Sequence, residues 1–217
     1  MYGFPPARRL RGNDECHGAN AMPEALRKTP PAMTVADFLA WPGDGSGRRY
    51  QLVDGEMRAI SIGTTTRGSV QATLAYMLAN HLDAKDSPCH ALIRPCVAPR
   101  IRASQNVRCP ALGVTAARDE PGQYIVPDPI LLIEILSPGN ASDTWDNVWS
   151  YTTIPSVREI VVVHSTRVMA EVLRRGADGN WPAEPEEIGP DGTLRLESIA
   201  FACPLPDVYA QTHLSRA

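Results

Sequence analysis

Residues 128–138, Asp-Pro-Ile-Leu-Leu-Ile-Glu-Ile-Leu-Ser-Pro, constrain the fold of this chain more than any other stretch. From Ile130 to Leu136 the run is apolar and rich in β-branched residues, and Ser137-Pro138-Gly139-Asn140 closes it. A short run without alternation, bounded by turn formers, reads as a strand buried on both faces. One carboxylate, Glu134, interrupts it. A charge inside a buried strand is costly unless something pairs with it, a metal ion included. Two ordinary arrangements also satisfy it: a Glu reaching solvent from a sheet edge, or one paired with an arginine.

The rest of the chain is punctuated around that strand. Residues 1–32 are rich in Pro, Gly, Arg and Ala without periodicity and are expected to be a disordered extension, leaving 33–217 as one domain. Thr34 suits the N-cap of a short helix carrying Val35, Phe38 and Leu39. Tyr50–Val53 and Met57–Ile62 flank Asp54-Gly55, a strong hairpin signal. Val70, Leu74, Met77, Leu78 and Leu82 recur at helical spacing over Thr66–Leu82. Strands are expected over Ala91–Val97 and Val107–Val114, and a loop over Arg118–Val126. After the central strand come a short helix, Trp145–Tyr151, and a hairpin, Glu159–His164 with Val168–Arg174. A short strand at Leu194–Leu196 and a last helix over Leu205–Thr212 complete the pattern. This order predicts a mixed α/β or α+β sheet with helices on its faces.

Charge and cysteine content exclude several classes. The chain has 21 Lys and Arg against 24 Asp and Glu, and residues 33–217 alone carry 16 against 21. That acidic body lacks the whole-domain basicity of a strong nucleic-acid binder, although Arg94, Arg100, Arg102 and Arg108 cluster locally. No apolar run is long enough to cross a bilayer, and the N-terminus lacks the apolar core of a secretory signal, so a cytoplasmic location is expected. The five cysteines are scattered without Cys-x-x-Cys or zinc-ligand spacing, which predicts reduced thiols.

Four stretches together resemble one family: Met33–Leu39, Tyr50–Glu56, Leu132–Pro138, and Tyr151 with Ile154–Glu159. They are similar to the Uma-type restriction endonucleases, a branch of the PD-(D/E)xK nuclease-like superfamily. The resemblance implies a restriction-endonuclease-like core, helices flanking a central mixed sheet, and Mg²⁺-dependent phosphodiester cleavage in active members. Carboxylates hold the hard cation, which polarises phosphate and water, and a lysine stabilises the developing charge. Carried over by the resemblance, Glu134 takes the metal-binding Glu position. The partner Asp position falls at Ala111, after Pro110. The lysine, which this branch carries in an Asp-x-x-x-Lys-x-x-x-Tyr pattern, falls at Asn147 between Asp143 and Tyr151. Leu136 occupies the unmigrated lysine position. Members commonly have Glu at Gln51 and His at Arg67.

Few residues stand ready to compensate. Asp128 follows a proline, but six residues along one strand place it about 20 Å from Glu134. Asp143 is a second candidate ligand, although an acid early in a helix ordinarily serves as a cap. The chain holds only two lysines, Lys28 and Lys85, and neither follows Glu134. Arg158 and Arg108 could pair with Glu134, yet arginine stays protonated and cannot act as a base. The leading expectation is a nuclease-fold protein that has lost metal-dependent catalysis. It would retain a binding role toward DNA, through Arg67, Arg94 and Arg108, or toward a second copy or an intact paralogue. The alternative is an active Mg²⁺-dependent DNA endonuclease rebuilt around Glu134, Asp128 and Asp143. A structural protein using its sheet edge is a third possibility.

Overall fold

Residues 32–216 are described by the structure, a computed structural model; the extension expected over 1–32 lies, but for Ala32, outside them. The first described element is α1 (Val35–Ala40), opened by a reciprocal cap. The Thr34 hydroxyl accepts the Asp37 N–H at 3.2 Å, and the Asp37 carboxylate accepts the Thr34 N–H at 3.1 Å. Strands β1 (Tyr50–Val53) and β2 (Glu56–Ala59) form the expected hairpin. Asp54 and Gly55 both take positive φ, 51° and 83°, as a tight primed turn requires.

Helix α2 (Thr65–Ala84) turns Val70, Leu74, Leu78 and Leu82 onto one stripe. That stripe packs on a six-stranded sheet made of β3 (His90–Ile93), β4 (Leu112–Thr115), β5 (Pro129–Leu136), β6 (Glu159–His164), β7 (Ala170–Arg174) and β8 (Glu186–Ile188), hydrogen-bonded in that order. Every pairing is antiparallel except that of β5 with β6, whose crossover is α3 (Ala141–Tyr151). A parallel pair needs such a crossover, because its second strand must start again from the same end. A small antiparallel pair, β9 (Thr193–Leu196) and β10 (Phe201–Pro204), packs on the α2 side of the sheet.

The apolar run of β5 is explained by this burial. Leu131, Ile133 and Ile135 face the α2 layer, and Leu132 faces Val148 and Tyr151 of α3. Successive side chains alternate faces, so Glu134 shares the α3 side with Leu132. It is 4% exposed in a central strand, which removes the solvent-facing arrangement.

Several expected boundaries moved for local reasons. The strand expected over Ala91–Val97 breaks at Arg94, where φ is 51°, and resumes only as bridges at Cys96 and Val97. The strand expected over Val107–Val114 is cut at Pro110, which has no N–H to give a ladder. Helix α3 starts at Ala141, four residues earlier than expected, because its polar first turn hid the periodicity. The last expected helix is a 3₁₀ turn, Leu205–Tyr209, and β8 and β10 were not anticipated. No helix among the described residues is long and apolar enough to cross a membrane.

Candidate functional site

Glu134 projects from β5 toward α3, and α3 brings Asn147 and Tyr151 back over it. One helical turn separates these two, so both side chains meet the same carboxylate oxygen. The Tyr151 hydroxyl donates to Glu134 Oε1 at 2.7 Å and the Asn147 amide donates to it at 3.1 Å. Asn147 Oδ1 in turn accepts from Arg108 Nη1 at 3.1 Å, and the Gln51 amide lies 3.4 Å from that of Asn147. Gln51, Arg67 and Asn147, three of the positions at which the resemblance implies other residues, therefore line one small pocket with Glu134. Its volume is about 40 Å³, and Asp143, Thr144, Asn140 and Cys109 complete the wall.

Burial pushes the Glu134 carboxyl up to about 7, against the hydrogen bonds from Tyr151 and Asn147 and the charges of Arg67 and Arg108. Burial and the neighbouring carboxylate raise the Tyr151 hydroxyl well above its ordinary value. Desolvation lowers both guanidiniums, Arg67 and Arg108, although each remains a cation. The Nε of each is buried without a hydrogen-bond partner. A buried donor left unpaired costs free energy comparable to a lost hydrogen bond, and at Arg67 it lies between the Glu134 pocket and a larger cleft.

That larger cleft holds about 460 Å³ and is lined by Arg48, Arg49, Arg67 and Arg94. Among the described residues no acidic side chain lines it. Its floor is Ser61–Thr64 and the first turn of α2, where Thr64 caps the helix by accepting the Arg67 N–H at 3.2 Å. The unsatisfied amides of a helix N-terminus add positive potential to that of the four guanidiniums.

The remaining candidate residues separate clearly. Continuing the Leu112↔Ile133 register by one residue sets the Ala111 backbone opposite Glu134. Its methyl packs in the α2-side core, and its carbonyl accepts from Gln71 Nε2 at 2.7 Å. Asp143 reaches the pocket mouth but lies 3.7 Å from the Arg58 guanidinium. Asp128 is not part of the pocket. It is exposed in the turn before β5, with φ 46°, at the opposite end of the strand from the bend that follows Leu136. Arg108, a candidate nucleic-acid contact from sequence, is instead 4% exposed and points inward to Asn147, because its bridge with Val97 fixes its face. Sequence reading passed over Arg48 and Arg49. The signal was a glycine-rich loop, Gly43–Gly47, running directly into an arginine pair.

These donors do not fit a hard divalent cation such as Mg²⁺. Such an ion wants anionic oxygens, and here Glu134 is the one buried carboxylate, while Asp143 at the mouth lies beside the Arg58 guanidinium. Its Oε1 already accepts two protein donors, the facing position is an alanine, and two guanidiniums supply positive charge at the same place. Among the described residues no three of His, Cys, Asp and Glu group as ligands.

Comparison with known proteins agrees with this fold. The chain is 26% identical over 153 residues to an uncharacterized protein of Synechocystis, slr1290, covering 70% of this chain and 78% of that one. Its fold is similar to the crystal structure of a putative nuclease belonging to DUF820 from Anabaena variabilis, with a TM-score of 0.67 at 15% identity, over 82% of this chain and 98% of the other. The mixed central sheet with few helices is that of a restriction-endonuclease-like fold. The family model named Uma2, putative restriction endonuclease, matches residues 35–202, nearly the whole of the described fold, and the chain belongs to that family.

Proposed function

We propose that this chain binds nucleic acid in the arginine cleft beside Glu134 without cutting it. The single observation that carries this reading is the juxtaposition of two sites that share Arg67. One is a cleft with four guanidiniums and, among the described residues, no acid, suited to phosphates; the other is the Glu134 pocket, in which Asn147 stands where the resemblance implies the catalytic Lys, while Ala111, where it implies the metal-binding Asp, lies outside the lining. Arginine forks recognise phosphate oxygens and a helix N-terminus supports them, so the cleft offers affinity that does not depend on sequence. Losing a metal ligand together with the lysine costs orders of magnitude in rate, given what single electrostatic groups contribute.

The active alternative, an endonuclease rebuilt on Glu134, Asp128 and Asp143, has less support. Asp128 stands at the far end of β5, and Arg58 faces Asp143. A polynucleotide titration tests the binding reading. Single-stranded and duplex DNA should bind at low salt with an affinity that falls steeply as salt rises, and no binding at low salt overturns it. Plasmid incubated with Mg²⁺ or Mn²⁺ should stay intact. Cutting that disappears in Glu134→Ala would restore the active alternative.

A further inference from the structure

Cys96 and Cys109 come together although thirteen positions separate them. Val97 and Arg108 exchange both backbone hydrogen bonds, at 2.8 and 2.9 Å, and so form a hydrogen-bonded antiparallel pair. The next pair along that register is Cys96 with Cys109, a non-hydrogen-bonded site. Cα atoms at such sites lie about 4.5 Å apart, within the range a disulfide spans. The two sulfurs are 2.8 Å apart, and both cysteines are only half-buried. Each thiol also borders a site already described. Cys109 lines the Glu134 pocket, and Arg49, whose Nη2 donates to the Arg94 carbonyl at 3.2 Å in the arginine cleft, has its charge close enough to act on the Cys96 sulfur. The hydrogen bond from Cys109, with help from Arg49, draws Cys96 below the ordinary thiol range, which favours it as the attacking thiolate.

We propose that Cys96 and Cys109 form a reversible cross-strand disulfide in the wall of the Glu134 pocket, and that closing it removes the sulfur charge that offsets Arg49 in the cleft and so tightens the cleft's hold on polyanions. The oxidant is a low-molecular-weight disulfide, RSSR. The Cys96 thiolate attacks one of its sulfurs, the RS–SR bond breaks, and one RS⁻ leaves. Cys109 then loses its proton and attacks the Cys96 sulfur, expelling the second RS⁻. The two thiolates leave as RSH once protonated, so two protein thiols are oxidised and one RSSR is reduced. The closed form carries no sulfur charge, so Arg49 loses its intramolecular counter-charge. This second half of the proposal rests on the nucleic-acid reading above.

The full-length protein is equilibrated with mixtures of oxidised and reduced glutathione, trapped with N-ethylmaleimide, and mapped by mass spectrometry. The expected product is a Cys96–Cys109 link that reduced glutathione reopens, whereas Cys109→Ser stops at a glutathione mixed disulfide on Cys96. No internal link, or a link through other cysteines, overturns the disulfide. A labelled single-stranded oligonucleotide is then titrated against both forms at low salt. The linked form should bind a few-fold tighter, and Arg49→Ala should erase the difference. Equal affinity overturns the coupling and leaves the disulfide standing. Absence of binding by either form removes the nucleic-acid reading and the coupling together.

Discussion

The Tyr151 hydroxyl donates to Glu134 Oε1 across 2.7 Å, with both side chains closed to solvent. Tyr151→Phe keeps the ring among Leu132, Val148 and Ile160 and deletes only this donor. The variant should lose about 1–3 kcal/mol in urea unfolding, the cost of leaving a buried carboxyl short of a partner. Wild-type stability in that variant would show that the contact adds nothing.

Glu134 itself predicts a pH dependence. Its folded-state value of about 7 lies above the ordinary 4.5, so between those values the folded protein keeps a proton that the unfolded chain releases. Its stabilising contribution is therefore complete below 4.5, declines as pH rises to about 7, and is then lost. The total change is about 3 kcal/mol at 1.36 kcal/mol per unit. Glu134→Gln removes the titration at nearly constant size, so the difference between wild-type and variant stability should slope over this window. Parallel profiles would contradict the raised value.

The two classes of arginine should behave differently. Arg67→Ala and Arg94→Ala each remove a cation from the cleft, so DNA affinity should fall and the slope of log affinity against log salt should shrink by about 1. Arg108→Ala should leave that slope unchanged and cost about 1–3 kcal/mol of stability, because it leaves the buried Asn147 oxygen with only the longer contact from Gln51. A salt slope that responded to Arg108 instead would place the interface elsewhere.

Restoring the family's residues should restore chemistry. Ala111→Asp puts a carboxylate on the backbone position opposite Glu134 and Asn147→Lys puts a cation beside it, as the resemblance to the nuclease pattern implies, and Mg²⁺-dependent plasmid nicking should emerge only in the double variant. The inserted lysine joins Arg108 in the interior, so some thermal stability will be lost. A double variant that folds, as judged by circular dichroism, and never nicks would mean that these positions are assigned wrongly.

A second buried carboxylate serves structure alone. Glu159, at the start of β6, accepts the N–H groups of Glu197 and Ser198 at 2.9 and 2.7 Å and the Arg174 Nε at 3.1 Å. It thus ties the turn after β9 to the sheet. Glu159→Ala should cost about 1–3 kcal/mol, the cost of leaving the Glu197 and Ser198 N–H groups without their acceptor, since Arg174 keeps Glu186 and Glu197. Chemical denaturation would measure it, and DNA binding of the folded fraction should be unchanged.

Much of the scaffold could be read from the chain because short-range chemistry decides it. Thr34 and Asp37 signal a cap, Asp54-Gly55 a tight turn, and Ile130–Leu136 a doubly covered strand. Misses arose where tertiary context overrides local pattern. Arg94 adopts a left-handed conformation that its sequence neighbourhood does not announce, and the polar first turn of α3 carries no apolar stripe. At the site, the position of Glu134 was legible from the cost of burying a charge. The arginine cleft was not, because Arg48, Arg49, Arg67 and Arg94 meet only once β1, the entry to α2 and the bend after β3 are folded. Arg108 misled for the converse reason: a residue type typical of surfaces was turned inward by strand register.

The parallel pairing of β5 with β6 dictates where half of the pocket must ride. The chain must travel back from the end of one strand to the start of the other, and α3 is that return path. Asn147 and Tyr151 therefore sit on a segment the architecture needs whether or not anything is cleaved. The connection is required by the topology, while the chemistry that meets Glu134 is decided by single inward side chains on it.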